Sequence, residues 1–251
     1  MKKVEFFGIS GSGKTFFKSN IESKLKENKI ITYSYKQALE EFLPYNERNI
    51  LNYFLLKIFL FYRKNTHKNF YLKNDIPSKN INKISLFQDL KKKIFKIYEK
   101  NLDNIFKKNK KKKFSKITLD LIRKSNFSQK NKLIFIRWFK EEIAANYLIN
   151  KNLNKAQFII DSEGFIQRLF IYLYKQKNKE QIANLYLRYC PMPHLLIVMD
   201  KKMITKKVFS NKEFNMDYKE LLKIQEISLK ILNRNKKLKI IYKKNFKLSY
   251  L

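Results

Sequence analysis

Residues Gly8-Ile9-Ser10-Gly11-Ser12-Gly13-Lys14-Thr15 carry a complete piece of chemistry within this 251-residue chain. They fit the pattern G-x-x-x-x-G-K-[ST], in which each residue type has a physical duty. Glycines let the backbone wrap an anion and aim its N–H groups at it from a helix N-terminus. The lysine reaches the β- and γ-phosphate oxygens, and the final hydroxyl is a ligand for Mg²⁺. On this reading Gly8, Ser10, Gly11, Ser12, Gly13, Lys14, Thr15 and Phe16 hold a nucleoside triphosphate, ATP with Mg²⁺. Lys14 is then catalytic and Thr15 is a metal ligand. The chain has only four glycines, and the loop takes Gly8, Gly11 and Gly13. A chain that otherwise avoids glycine keeps it where a positive φ or a close approach demands it.

The fourth glycine marks a second position. It ends Phe158-Ile159-Ile160-Asp161-Ser162-Glu163-Gly164, an apolar strand signature running into two acids. In open parallel sheets ligands bind beyond the carboxyl ends of the strands, so Asp161 and Glu163 are expected to emerge beside the glycine-rich loop. Asp161 would hold Mg²⁺, directly or through water, and Glu163 would accept a proton from, or orient, an attacking hydroxyl. Gln167 and Arg168 follow about one turn further on, and Arg168 could neutralise phosphate charge. The competing reading is local: Asp161 or Ser162 as a helix N-cap, with Glu163 in the first turn.

These residues need a scaffold. Residues 3–7 read as a strand, and after Thr15 the apolar residues Phe17, Ile21 and Leu25 recur at helical spacing. Further strands are expected at 30–35, 156–161, 195–200 and 238–242. Helices are expected at about 36–42, 132–150, 165–174, 180–189 and 218–232. Strands separated by helices imply right-handed crossovers and a five-stranded parallel sheet, an α/β fold. Residues 44–131 are rich in Lys, Asn, Phe and Tyr, and read as a mostly helical, basic insertion in one domain spanning 1–251. The run KKNKKKKFSK at 107–116 is expected to be an exposed loop between helices.

Composition narrows the partners. The formal charge of +35 would ordinarily point to a polyanion. Lysine nevertheless far outnumbers arginine, and Asn, Ile, Phe and Tyr are abundant, as codon bias in an AT-rich genome would produce. Arginine is the residue suited to bidentate phosphate and base-edge contacts, so nucleic acid is not the favoured main partner. Cys190 is the only cysteine, which excludes an internal disulfide framework and reads as a buried small hydrophobe in a reducing compartment. His67 and His194 are too far apart in sequence to suggest a histidine metal site or a catalytic triad. The N-terminus lacks the apolar core of a secretory signal, so a cytoplasmic location is expected. The longest apolar stretch, 51–62, is too short for a membrane span and reads as a core helix, with peripheral membrane contact as the minor alternative.

The glycine-rich loop at the N-terminus, the acids after the third strand and the segment Pro191-Met192-Pro193-His194-Leu195-Leu196-Ile197-Val198-Met199-Asp200 together resemble the P-loop kinases of nucleosides and nucleotides, the thymidylate-kinase-like group in particular. The resemblance covers 1–42 and 132–251. It implies a P-loop NTPase fold with strand order 2-3-1-4-5, ATP·Mg²⁺ as phosphate donor, and a small-molecule acceptor held largely by the segment between strands two and three. The chain departs from the group by having Ser162, not Arg, after the strand-three Asp. It also carries only lysines (Lys201, Lys202, Lys206, Lys207 and Lys212) where a lid arginine is usual. The expected activity is thus a kinase, an ATP-dependent phosphotransferase acting on a nucleotide, nucleoside or sugar, with a homodimer left open. Two alternatives remain at this level: an NTPase coupled to nucleic acid or to a conformational switch, and a nucleotide-binding protein without turnover.

Overall fold

The computed structural model describes residues 2–65, 81–109, 112–152, 158–199 and 216–251. Five strands form one sheet: β1 (Lys2–Phe7), β2 (Thr32–Tyr33), β3 (Phe158–Asp161), β4 (Leu195–Val198) and β5 (Lys239–Tyr242). Their order is β2-β3-β1-β4-β5 and every pairing is parallel, which is the expected order. β4, LLIV, reads as an unbroken apolar run, as a strand covered by helices on both faces should, whereas the central β1 carries Glu5 within its apolar run. Val4, Phe6, Ile160, Ile197 and Met199 form a buried cluster with Ile21 and Leu25 of α1 (Lys14–Glu27).

The chain divides into two compact units. One comprises Met1–Ser34, Lys110–Glu142 and Leu153–Leu251 and holds the sheet. The other comprises Tyr35–Asn109 and Ile143–Asn152 and is helical. Its helices are α2 (Tyr35–Phe42), α3 (Ile50–Asn65), α4 (Ile81–Asn109) and the last turns of α6 (Gln129–Lys151), and the basic insertion expected at 44–131 overlaps it only in part. Its core joins aliphatic side chains such as Leu56, Leu60 and Leu102 to aromatic ones, with Phe59 of α3 meeting Tyr98 of α4 at 5.2 Å between ring centroids.

Three expectations are corrected. The run at 107–116 is helical wherever it is described: residues 107–109 belong to α4 and 112–116 to α5 (Lys112–Lys124), while 110 and 111 lie outside the described residues. The reason is Phe114, buried at 1% exposure with its ring 5.4 Å from that of Phe165, an apolar anchor concealed among lysines. The second strand spans two residues rather than six. The helix expected from 165 begins as a 3-10 turn, Ile166–Arg168, before α7 (Leu169–Leu173).

α3 is only partly the core helix expected for 51–62. Leu56, Phe59 and Leu60 are buried, while Ile50, Leu51, Phe54, Ile58 and Phe61 are exposed. Among the described residues no helix is long and apolar enough to cross a membrane. The remaining helices of the sheet unit are α8 (Lys179–Tyr189) and α9 (Tyr218–Leu232), the latter capped by Asp217, whose carboxylate accepts from the N–H groups of Lys219 and Glu220.

Candidate functional site

β1 runs in the middle of the sheet and delivers the loop Gly8–Thr15 to the start of α1. Two glycines turn the chain there: Gly11 and Gly13 both have φ +81°. Gly8 serves a different need, since a Cβ would lie 2.8 Å from Cβ of Met199. α1 has no side-chain N-cap and no acid in its first turn. The first N–H groups of a helix have no partner inside it, so an uncapped start is a set of donors and a positive dipole end facing outward.

Lys14 is buried at 7% exposure and folds back over its own loop. Its Nζ donates to the carbonyls of Gly8 at 2.7 Å and Ile9 at 3.0 Å. An ammonium carries three donors, so one remains for a further acceptor. Burial lowers its pKa to about 8, against the opposing pull of the Glu163 carboxylate. Gln167 clamps the loop from the other side: Gly8 N–H donates to its Oε1 at 3.1 Å, and its Nε2 donates to the Gly8 carbonyl at 2.9 Å. Ser12 Oγ is buried without a hydrogen-bond partner among the described residues. Ser10, Gly11, Thr15 and Phe16 are exposed, Phe16 at 72%.

Asp161 ends β3 in register with Glu5 of β1. It is 8% exposed, and its Oδ1 accepts from the N–H of Glu163 at 3.2 Å. Glu163, by contrast, has 60% of its side chain exposed. Asp161 thus caps the turn locally at Glu163, while the N–H groups at the start of the following 3-10 turn are met by Glu5, a residue that sequence reading misses. Its fully buried carboxylate crosses from β1 to accept from Phe165 N–H at 3.3 Å and Ile166 N–H at 3.1 Å, and it pairs with Lys3 Nζ at 2.7 Å. Gly164 exists to admit it: a Cβ there would lie 2.1 Å from Cδ of Glu5. The signal was available in Lys-Val-Glu-Phe-Phe, where an acid interrupts a strand destined for the centre of a sheet.

Arg168 meets a second residue that sequence reading missed. Its Nε donates to Glu142 Oε1 at 2.7 Å and its Nη2 lies 2.6 Å from the same oxygen. The guanidinium stacks over Trp138 at 4.7 Å, and Nη1 reaches toward Glu163 Oε2 at 3.6 Å. Burial pushes the Glu142 carboxyl up to about 8, with Arg168 pulling it down and Asp161 and Glu5 adding to the rise. Glu142 is therefore part of one electrostatic cluster with Asp161, Glu5 and Arg168. Arg168 lies within reach of Glu163, but its main partner is Glu142, 26 residues away in sequence.

Cys190 is buried, and burial raises its thiol pKa. Asp200 and the five lysines expected to form a lid lie outside the described residues. Among the described residues no group of three or more His, Cys, Asp or Glu is arranged to hold a metal. Thr15 and Asp161 offer a hydroxyl and a carboxylate, hard oxygens of the kind Mg²⁺ takes one or two at a time alongside phosphates and water, so this donor set fits that ion. No protein-family model matches the chain, and no curated protein matches it.

Proposed function

We propose that this chain is a P-loop phosphotransferase: it binds ATP with Mg²⁺ on the loop Gly8–Thr15 and moves the γ-phosphate to a small-molecule acceptor, a nucleotide, nucleoside or sugar. The observation that carries the reading is an uncapped helix start joined to the central strand by a loop with φ +81° at Gly11 and Gly13, with the ammonium of Lys14 buried over it. Helix donors, a dipole end and a lysine that keeps one donor are what triphosphate oxygens require.

The chain's residues take the following parts. Backbone N–H groups at the start of α1 bind phosphate oxygens, and Lys14 neutralises charge on the transferred group. Thr15 and Asp161 would hold Mg²⁺, which when bound supplies charge neutralisation across the phosphates. Glu163, exposed and electrostatically coupled to Lys14, orients the acceptor hydroxyl or takes its proton. Arg168 and Glu142 act as positioning residues, holding Glu163 and the turn after β3 in place. Such catalysis rests on positioning and electrostatics, because phosphoryl transfer asks for little covalent chemistry from the protein.

The test is ADP formation from Mg·ATP with a panel of nucleotide, nucleoside and sugar acceptors, comparing the native chain with Lys14→Ala. Acceptor-dependent turnover lost in the variant is expected. Turnover that survives the change would remove Lys14 from its role, and turnover equal with and without acceptor would favour a hydrolase.

A further inference from the structure

We infer that the helical unit carries a second ligand site, for a small phosphorylated metabolite, in a cavity of about 390 Å³ between the 3-10 turn Pro44–Asn46 and α4. All of its lining residues lie in the unit Tyr35–Asn109 with Ile143–Asn152, and none belongs to the loop Gly8–Thr15 or to the acids after β3. The site stands independently of what that loop binds.

α4 builds one wall by helical periodicity. Lys100, Asn104 and Lys108 recur at i, i+4 and i+8 and so share a stripe, while Tyr98, Leu102 and Phe106 turn into the core. Arg48 comes from the segment just after the 3-10 turn. Three cations thus converge on one cavity against a single carboxylate, Glu47.

That carboxylate is committed to structure. Its Oε2 accepts from Asn101 Nδ2 at 2.8 Å and its Oε1 from the N–H of Asn49 at 3.2 Å. Burial opposes its ionisation, but the hydrogen bonds from Asn101, Asn49 and Arg48, with Lys100 nearby, hold its carboxyl below the usual range. It orients Asn101 and leaves the other cations uncompensated. Arg48 and Lys108 form no ion pair with any described residue.

Like charges gathered around a concave surface disfavour one another unless an anion joins them. An amide adds to the case: Asn46 Nδ2 is buried with no hydrogen-bond partner among the described residues, and buried donors are normally satisfied. Asn104 and Tyr147 supply further polar groups of the type that bind hydroxyls. Codon bias would scatter lysines around the surface, but it does not account for a scarce arginine and an unsatisfied amide at the same cavity. The volume is at the small end of ligand pockets, suited to a sugar phosphate or a nucleoside monophosphate.

Ribose 5-phosphate and inorganic pyrophosphate, titrated calorimetrically into the full chain carrying Lys14→Ala, test this with the loop silenced. Saturable one-to-one binding of at least one probe is expected to survive Lys14→Ala. It should weaken roughly ten- to a hundredfold in Arg48→Gln with Lys108→Gln, the loss of charge-assisted bonds. Lys92→Gln, an exposed α4 lysine outside the cavity, should leave it unchanged. Both cavity substitutions are at exposed side chains, and circular dichroism, with Arg48→Gln alone as a second variant, checks that folding is intact. Failure of both probes to saturate overturns the inference. So does binding indifferent to Arg48 and Lys108, equally weakened by Lys92→Gln, or abolished by Lys14→Ala itself.

Discussion

In the sheet unit Arg168 and Glu142 meet at 2.6 Å with 11% and 5% of their side chains exposed, whereas in the helical unit Lys92 and Asp89 meet at 3.5 Å with 73% and 71% exposed. The two pairs look alike in a list of charges but not in physics. A surface pair trades one hydrated state for another and is screened by salt, while a buried pair leaves a stranded charge if either partner goes. The difference separates the charges of this very basic chain. Around the C-terminal ends of β1 and β3, Glu5, Asp161 and Glu142 are buried and, with the nearly buried Arg168, mutually dependent, and Glu163 alone of the group is exposed. Most charges in the helical unit are solvated.

The largest effect should come from breaking the buried pair. Glu142→Ala is expected to cost about 3–5 kcal/mol of folding stability by leaving Arg168 unpaired, measured by denaturant unfolding. The carboxyl's pKa of about 8 carries a sign: because it lies above the ordinary value of 4.5, the stability this group contributes is full in acid, falls as pH rises from 4.5 towards 8, and levels off above 8, where the carboxylate faces Arg168. Glu142→Gln should therefore flatten that decline.

Gly164→Ala comes next. Its Cβ would overlap the Glu5 carboxyl, and about 1–3 kcal/mol of destabilisation is expected from such overpacking. Combined with Glu5→Ala, the loss should be less than the sum of the singles, since removal of Glu5 makes the room that the new methyl needs. Additive losses would mean that Gly164 answers to something other than Glu5. At the small end, Lys92→Ala should change stability by less than about 0.5 kcal/mol, and a larger change would erase the contrast between the units.

The loop's lysine gives a pH test. Because burial holds Lys14 at about 8, phosphate binding that favours its ammonium should be insensitive to pH below 8 and weaken as pH rises above it. The slope is roughly tenfold per pH unit, and binding there takes up a proton. A pH series of triphosphate affinities checks the direction. An affinity unchanged from pH 7 to pH 10 would mean that Lys14 does not touch the phosphates.

Much of this arrangement was legible from sequence because its signals are local. The strand-loop-helix around Gly8–Thr15 follows from glycine spacing and the switch from apolar run to helical period. The boundaries of α9 follow from Asp217 and its apolar stripe. The parallel sheet follows from strands alternating with helices. Glu5 and Glu142 were not legible in the same way, since their partners lie 160 and 26 residues away, and only the folded chain shows which turn a buried acid caps. Phe114 was hidden for a compositional reason, one aromatic within a lysine run, yet it anchors the packing against Phe165 at the start of the turn after β3.

The central claim is that the loop holds a triphosphate through Lys14, and calorimetric titration of Mg·ATP into the native chain and into Lys14→Met tests it most directly. The account predicts saturable binding in the native chain and a loss of at least tenfold in the variant. Removal of a desolvated ammonium should at the same time raise stability at pH 7 by about 1–3 kcal/mol, so that lost binding cannot be blamed on lost folding. Equal affinity for Mg·ATP in the two proteins, or no binding to the native chain, would contradict it.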